Sequence, residues 1–161
     1  MKRTMSSLAI AAVLAFGAAQ FGALSGQPPD DLGVRDGQLK PPSVTRNSVS
    51  SQADLHAGHP QQEYALIDPL PFKPLGPEAS MQALENALVR LDGVQIVERG
   101  PTYIRAEAQT RWLKFVDDLE FWQNASDNTI EVRSASRLGR EDFGANRARV
   151  ERLRAAYLGL P

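Results

Sequence analysis

Residues 111–122 read RWLKFVDDLEFW, and apolar and polar side chains alternate along them. One face would carry Leu113, Phe115, Leu119 and Phe121, and the other Lys114, Asp118 and Glu120. A period of two residues is typical of a β-strand that buries one face. The sequence therefore predicts a strand here.

Three further strands are predicted around this one. VQIVE (94–98) and TYIRAEAQT (102–110) precede it, and TIEVRSASRL (129–138) follows the polar loop QNASDN (123–128). The connections are short and rich in turn-forming residues, which favours antiparallel hairpins.

One helix is predicted before the strands in the sequence, and a second helix is predicted after them. After Pro77, apolar residues repeat at spacings of three and four, at Met81, Leu84, Leu88 and Leu91. A second stripe, Val150, Leu153 and Tyr157, predicts a helix at about 145–158, with Asp142 as a possible N-cap. We expect an α+β fold, in which a small antiparallel sheet of three to four strands packs with two helices and is preceded by a long extended loop.

The extended loop is the stretch of residues 26–76, which is dense in Pro, Gly, Ser and Asp and has no helical or strand period. We interpret residues 26–38 as a tether. The remainder, with its apolar residues between 64 and 72, is expected to lie over the core. One α+β domain is therefore predicted over residues 39–161.

The N-terminal residues predict export. Lys2 and Arg3 precede the 17-residue apolar run LAIAAVLAFGAAQFGAL (8–24). A basic start, an apolar stretch and small residues after it are typical of a signal peptide, and the run is at the short limit of a membrane span. We predict a signal peptide or N-terminal membrane anchor over residues 1–25, with a buried helix as the remaining alternative. The domain would then be periplasmic, or anchored in the inner membrane and facing the periplasm.

Composition excludes several classes of function. Beyond residue 25 the chain carries 19 acidic and 16 basic residues, which argues against nucleic acid as a partner. Cysteine is absent, so disulfides, thiol nucleophiles and thiolate metal sites are excluded. The two histidines lie in HAGHP (56–60), where Gly58 and Pro60 favour a surface loop over a metal-binding helix. We predict no metal site and no cofactor.

Asp117 is the one charged residue on the apolar face of the strand predicted at 111–122. A buried carboxylate must be paired, hydrogen-bonded or held neutral. If Phe121 pairs with Ile130, Asp117 lies opposite Ser134 and Asp118 lies opposite Arg133. A shift of two residues would instead pair Glu120 with Arg133.

Arginine is abundant near the C-terminus, at Arg133, Arg137, Arg140, Arg147, Arg149, Arg152 and Arg154. Guanidinium groups bind carboxylate and phosphate through a planar fork, so these residues indicate an anion site. We favour the alternative, in which they pair with acidic residues of the strands, namely Asp117, Asp118, Glu120 and Glu107. The candidate ligand-binding residues are Asn47, Ser50, Ser51, Asp117, Asp118, Arg133, Ser134, Arg137, Asn146 and Arg147.

Three functions remain open from the residues alone. The preferred one is a non-catalytic envelope module that binds an anionic group or an envelope protein, with membrane contact through the N-terminal segment if it is uncleaved. A hydrolase that uses the Asp117 and Asp118 carboxylates is the alternative, although neighbouring strand residues point to opposite faces. A purely structural role, in which the polar residues form a buried network, is the third.

The chain resembles the bacterial family of domain of unknown function 1499. The resemblance runs from about Leu32 to Tyr157 and is carried by NSVSSQA (47–53), FVDDLEF (115–121) and RSASRLGREDFGANRARVERLR (133–154). Many members carry cysteine in the first loop, where this chain has Ser48, so a role that needs this thiol is not open to it. The resemblance implies an envelope location and no established activity.

Overall fold

A computed structural model describes residues 17, 20 and 22–159. The six strands of its described part are β1 (Ser48–Ser50), β2 (Leu70–Pro71), β3 (Val94–Arg99), β4 (Tyr103–Gln109), β5 (Val116–Asn124) and β6 (Thr129–Ser136). The helices are α1 (Gln62–Ala65), α2 (Pro77–Leu88) and α3 (Ala145–Leu158). The α+β class is confirmed.

The strands form one antiparallel sheet in the order β1-β6-β5-β4-β3, and β2 pairs with the other end of β6. The sheet has more strands than the three to four predicted, and the described residues form three helices where two were predicted. The additional elements, β1, β2 and the one-turn helix α1, come from the segment predicted as an extended loop. Strands of three and two residues are too short to leave a period in the sequence, yet they satisfy the edge of β6.

The predicted pairing of Phe121 with Ile130 is wrong by two residues. Phe121 pairs with Val132, and Glu120 therefore lies opposite Arg133. The reason is the hairpin between β5 and β6, in which Asn124 pairs with Thr129 across four connecting residues. Asn128 adopts a positive φ of 56°, which asparagine tolerates, so the length of the turn fixes the register.

The central strand is shorter than predicted, because it begins at Val116 and not at residue 111. Residues 110–115 form a loop, closed by a hydrogen bond from Thr110 N to Phe115 O, and Lys114 within it has a φ of 59°. Leu113, which was predicted to face the core, is therefore exposed.

The hydrophobic core lies between the sheet and the two long helices. Its central members are Met81, Leu84 and Leu88 of α2, Val150, Leu153 and Tyr157 of α3, and Ile104, Leu119, Phe121, Ile130 and Val132 of the sheet. Each such side chain stabilises the fold by about 1.5–3 kcal/mol through burial.

An extended segment crosses the opposite face of the sheet. This segment, residues 26–43, is called the strap here. Gly33 N donates to Glu120 Oε1 at 2.7 Å, and Leu39 N donates to Gln52 Oε1 at 2.8 Å. The predicted tether, residues 26–38, lies within the strap, so both faces of the sheet are covered.

The predicted signal peptide or anchor falls largely outside the described residues. Within residues 17, 20 and 22–159, no helix has the length and apolar character needed to cross a membrane.

Candidate functional site

The candidate residues divide between the two faces of β5 and β6. The helix-side cluster consists of Asp117, Ser134, Ser136, Asn146 and Arg149. The strap-side cluster consists of Glu107, Asp118, Glu120, Arg133 and Arg137. Because side chains alternate along a strand, Asp117 and Asp118 belong to different clusters.

Arg149 neutralises Asp117 in the helix-side cluster. The Asp117 side chain is almost fully buried, and Arg149 Nη2 donates to its Oδ2 at 2.6 Å. Arg149 Nη1 also donates to Asn146 Oδ1 at 3.0 Å. The inward-facing carboxylate is thus paired with a cation from α3, and it lies opposite Ser136 rather than Ser134.

Asn146 links three elements through one buried side chain. Three acceptors lie within hydrogen-bond distance of the two hydrogens on its Nδ2 atom: Asn47 O at 3.1 Å, Ser136 Oγ at 3.0 Å and Asp142 Oδ2 at 2.8 Å. Its Oδ1 accepts a hydrogen bond from Ser134 Oγ. The chain leading into β1, strand β6 and helix α3 are therefore held together by this amide.

Asp142 caps α3 from two residues before the N-cap position, which is Gly144. Its carboxylate accepts hydrogen bonds from Gly144 N at 2.9 Å, Asn146 N at 3.0 Å and Tyr64 Oη at 2.7 Å. Burial by itself raises the pKa of Asp142, but these hydrogen bonds outweigh it and hold the pKa below its usual range. Burial, followed by the contact with Asp142, raises the pKa of Tyr64 to about 12.

This cap predicts a pH dependence of stability. The folded pKa of Asp142 lies below its unfolded value, so its contribution is present above about pH 4 and is lost as the pH falls through the folded pKa. We expect Asp142→Asn to lower the free energy of unfolding at pH 7 by about 1 kcal/mol and to flatten its decline in acid. Urea titrations from neutral to acidic pH measure both effects.

The control for this experiment is Asp30→Asn, in an exposed part of the strap. It should change the free energy of unfolding at pH 7 by less than about 0.5 kcal/mol. An Asp142→Asn protein that declines in acid as steeply as the parent would contradict the assignment.

Glu120 is the centre of the strap-side cluster and has no exposed surface. It accepts hydrogen bonds from Gly33 N at 2.7 Å, Tyr103 Oη at 2.9 Å and Arg133 Nη1 at 3.1 Å. Burial, together with the negative charge of Glu120, raises the pKa of the Tyr103 hydroxyl, which therefore stays protonated as a donor. The strap is thus attached directly to a buried ion pair.

Arg137 forms the second buried ion pair of this cluster. Its Nε and Nη2 atoms bind the two oxygens of Asp118 at 2.8 and 2.7 Å, and Nη2 also contacts Glu107. The hydrogen bond to Asp118 is the largest reason that the pKa of Arg137 is raised, so the guanidinium stays charged. Arg105 Nη1 lies 3.8 Å from Asp118 and completes the group.

The remaining candidate residues are also bonded internally. Asn47 Nδ2 donates to Gly139 O at 2.8 Å, and Ser51 Oγ donates to Glu131 Oε2 at 2.6 Å. Ser50 Oγ accepts from the backbone of Gln52 at 3.2 Å. Arg147 lies apart from both clusters, because its Nη2 donates to the carbonyl oxygens of Tyr64 and Leu66.

Sequence reasoning named Arg149 among the arginines but did not assign it to Asp117. The signal was present, because Asn146, Arg149 and Leu153 are spaced by three and four residues and lie on one helix face. Tyr103 and Arg105 were also missed as partners of the buried acids, since their pairing depends on the β4–β5 register.

A cavity of about 710 Å³ borders Glu107 of the strap-side cluster. Two smaller cavities border other members of the clusters. One of about 190 Å³ lies under the strap beside Asp118, Arg133 and Arg137. The other, of about 390 Å³, is lined by Arg90, Leu91, Asp92, Val94, Arg149 and Arg152. Within the described part of the chain, no three His, Asp or Glu side chains are grouped to hold a metal ion.

Comparisons with known proteins give one result. No curated protein and no solved structure is significantly similar to the chain. The family described as "Protein of unknown function (DUF1499)" matches residues 38–157, which include all six strands and every member of both clusters. On this match the chain belongs to the DUF1499 family.

Proposed function

We propose that this domain is a non-catalytic envelope module that binds an anionic group in the cavity between the end of α2 and the outer side of α3. The N-terminal sequence supports the envelope location. The arginine-lined cavity supports the anionic ligand, and it is the observation that carries the proposal.

Two arginines in this cavity are available to a ligand. Arg90 and Arg152 are exposed, and no acceptor in the described part of the chain lies within hydrogen-bond or ion-pair distance of their guanidinium groups. Arg149 also lines the cavity, but its charge is neutralised by Asp117 and its Nη1 atom donates to Asn146. Asp92 is the one acid among the six lining residues, so the cavity attracts anions.

The lining also indicates the class of ligand. Guanidinium forks bind phosphate and carboxylate oxygens in pairs, and Leu91 and Val94 form an apolar wall beside them. This combination suits a phosphate or carboxylate group attached to an apolar body.

The geometry disfavours the hydrolase alternative. Asp117 and Asp118 lie on opposite faces of the sheet, and each carboxylate is bound by an arginine within 2.8 Å. A general acid or base needs access to substrate and solvent, which neither carboxylate has. The two clusters support the structural role that the sequence left open, since they fix α3, the strap and β1 to the sheet.

Titration with inorganic phosphate, followed by NMR of the arginine side chains, tests the proposal. We expect saturable shifts at Arg90 and Arg152. Arg152→Ala and Arg90→Ala should each weaken binding by roughly tenfold or more, because each removes a charge-assisted hydrogen bond. Binding should also weaken as the salt concentration rises.

Arg99→Ala is the matched control. Arg99 is an exposed arginine at the opposite end of β3, beside Glu85. It should leave phosphate binding unchanged. Shifts that do not saturate, or an equal loss in Arg99→Ala, would show that phosphate merely screens surface charge and would contradict the proposed cavity.

A further inference from the structure

The N-terminal chain contacts one particular end of the sheet. Gln20 Nε2 donates to Trp112 O at 2.6 Å, in the loop between β4 and β5. At Gly26 the backbone passes so close to the residues just after β6 that an added Cβ would lie 2.8 Å from Arg137 Cβ and 3.1 Å from Leu138 Cγ. Gln20, within the apolar run 8–24, and Gly26, just after it, therefore both lie at this end, beside Trp112 and Leu138.

The same end exposes large apolar side chains. Trp112 is 64% exposed, Leu113 45%, Leu138 40% and Phe143 93%. The two loops that carry them are neighbours, because Arg137 N donates to Val116 O where β5 begins. Exposed apolar groups on adjacent loops are typical of an interaction surface.

Basic residues surround these apolar groups. Arg111 and Lys114 flank Trp112 and Leu113, and the Arg111 guanidinium lies 5.1 Å from the Trp112 ring centre. Arg140 lies on the neighbouring loop and is exposed.

The acids at this end weaken the positive charge only in part. Asp142 is occupied in the cap of α3, and Glu141 lies 3.2 Å from Arg46. Asp92, on the turn before β3, is exposed. The apolar groups are thus surrounded mainly by positive charge.

We propose that this end of the domain, formed by residues 111–114, Leu138, Arg140 and Phe143, lies on the surface of an anionic lipid bilayer. Trp and Leu would enter the interface while Arg and Lys contact the headgroups. A bilayer is favoured over a protein partner because the apolar N-terminal run joins the domain at this end. The inference rests on the proposed envelope location but not on the anion cavity.

Fluorescence of the full chain on lipid vesicles tests this inference. The chain has two tryptophans, so Trp122→Phe leaves Trp112 as the single reporter. On phosphatidylglycerol-containing vesicles with brominated acyl chains, we expect the Trp112 emission to shift to shorter wavelength and to be quenched. Trp112→Phe, with Trp122 retained, should lose both signals.

Removal of positive charge from the proposed surface gives a second readout. Arg111→Gln combined with Lys114→Gln should weaken binding to anionic vesicles by roughly 30-fold and leave binding to phosphatidylcholine vesicles unchanged. Leu75→Ala is the control, because Leu75 is 87% exposed and lies in the loop between β2 and α2. It should bind as the parent does.

The outcomes separate docking from tethering and from anion binding. A chain that binds vesicles while Trp112 stays unquenched is held by its N-terminal segment and not by this surface, and that result overturns the inference. Equal losses in Leu75→Ala would overturn it as well. Phosphate titration without vesicles reports on the anion cavity independently.

Discussion

Replacing Arg137 by alanine should lower the free energy of unfolding by about 3–5 kcal/mol, because it leaves a buried acid without its partner. The side chains of Arg137 and Asp118 are 5% and 2% exposed. Arg105, 3.8 Å from Asp118, is too distant to replace the two short hydrogen bonds that are lost. Urea unfolding followed by circular dichroism measures the change.

Two further variants serve as comparisons for this result. Arg137→Lys keeps the charge but not the planar fork, so its loss should lie between those of the parent and the alanine variant. Arg140→Ala, three residues further along and exposed, should change stability by less than about 0.5 kcal/mol. An Arg137→Ala protein as stable as Arg140→Ala would show that the strap-side cluster does not stabilise the fold.

Asp117→Asn should cost about 2–3 kcal/mol. The substitution keeps the volume of the side chain but removes the charge that faces Arg149, whose side chain is 11% exposed. The loss is expected to be smaller than for Arg137, because water in the neighbouring cavity can solvate the released guanidinium in part. Thermal and urea unfolding both report it.

The exposed variant Asp30→Asn serves as its control. If Asp117→Asn kept full stability while phosphate binding at the arginine cavity was lost, Asp117 would belong to a ligand site and not to the scaffold. We expect Asp117→Asn to lower the free energy of unfolding, since the carboxylate contacts Arg149 and not the open part of the cavity.

Periodicity predicted the elements whose side chains pack against the core. The apolar repeat of Met81, Leu84 and Leu88 predicted α2. The repeat of Val150, Leu153 and Tyr157 predicted α3, with the same bounds that the structure has. The strands from β3 to β6 were found for the same reason. Burial of one face of a helix or strand leaves a periodic repeat of apolar residues in the sequence.

Contacts made by the backbone left no such repeat. The pairing of Val49 with Ser134, and of Leu70 with Ile130, adds two short strands to β6 without any alternation in the sequence. The contact of the strap with the sheet is similar, because it depends on groups such as Gly33 N. These features require the three-dimensional path of the chain.

The candidate residues show what the sequence pattern predicts about the site and what it does not. Asp117 was identified as a buried carboxylate because it interrupts an apolar face, and the structure gives it a partner on α3. The β6 residue that lies opposite Asp117 was not predictable, since the register between β5 and β6 depends on a turn around Asn128. The arginine cavity depends on how α2 and α3 meet the sheet, which no local pattern encodes.

A double-mutant cycle over Asp117 and Arg149 tests most directly whether the inward-facing aspartate is held by the last helix. The cycle compares Asp117→Asn, Arg149→Gln and the protein with both changes by urea unfolding. We predict a coupling energy of about 1–3 kcal/mol, with the double variant losing less than the sum of the two single losses. Losses that add to within about 0.3–0.5 kcal/mol would mean that the two side chains do not interact, and would contradict the scaffold derived for this domain.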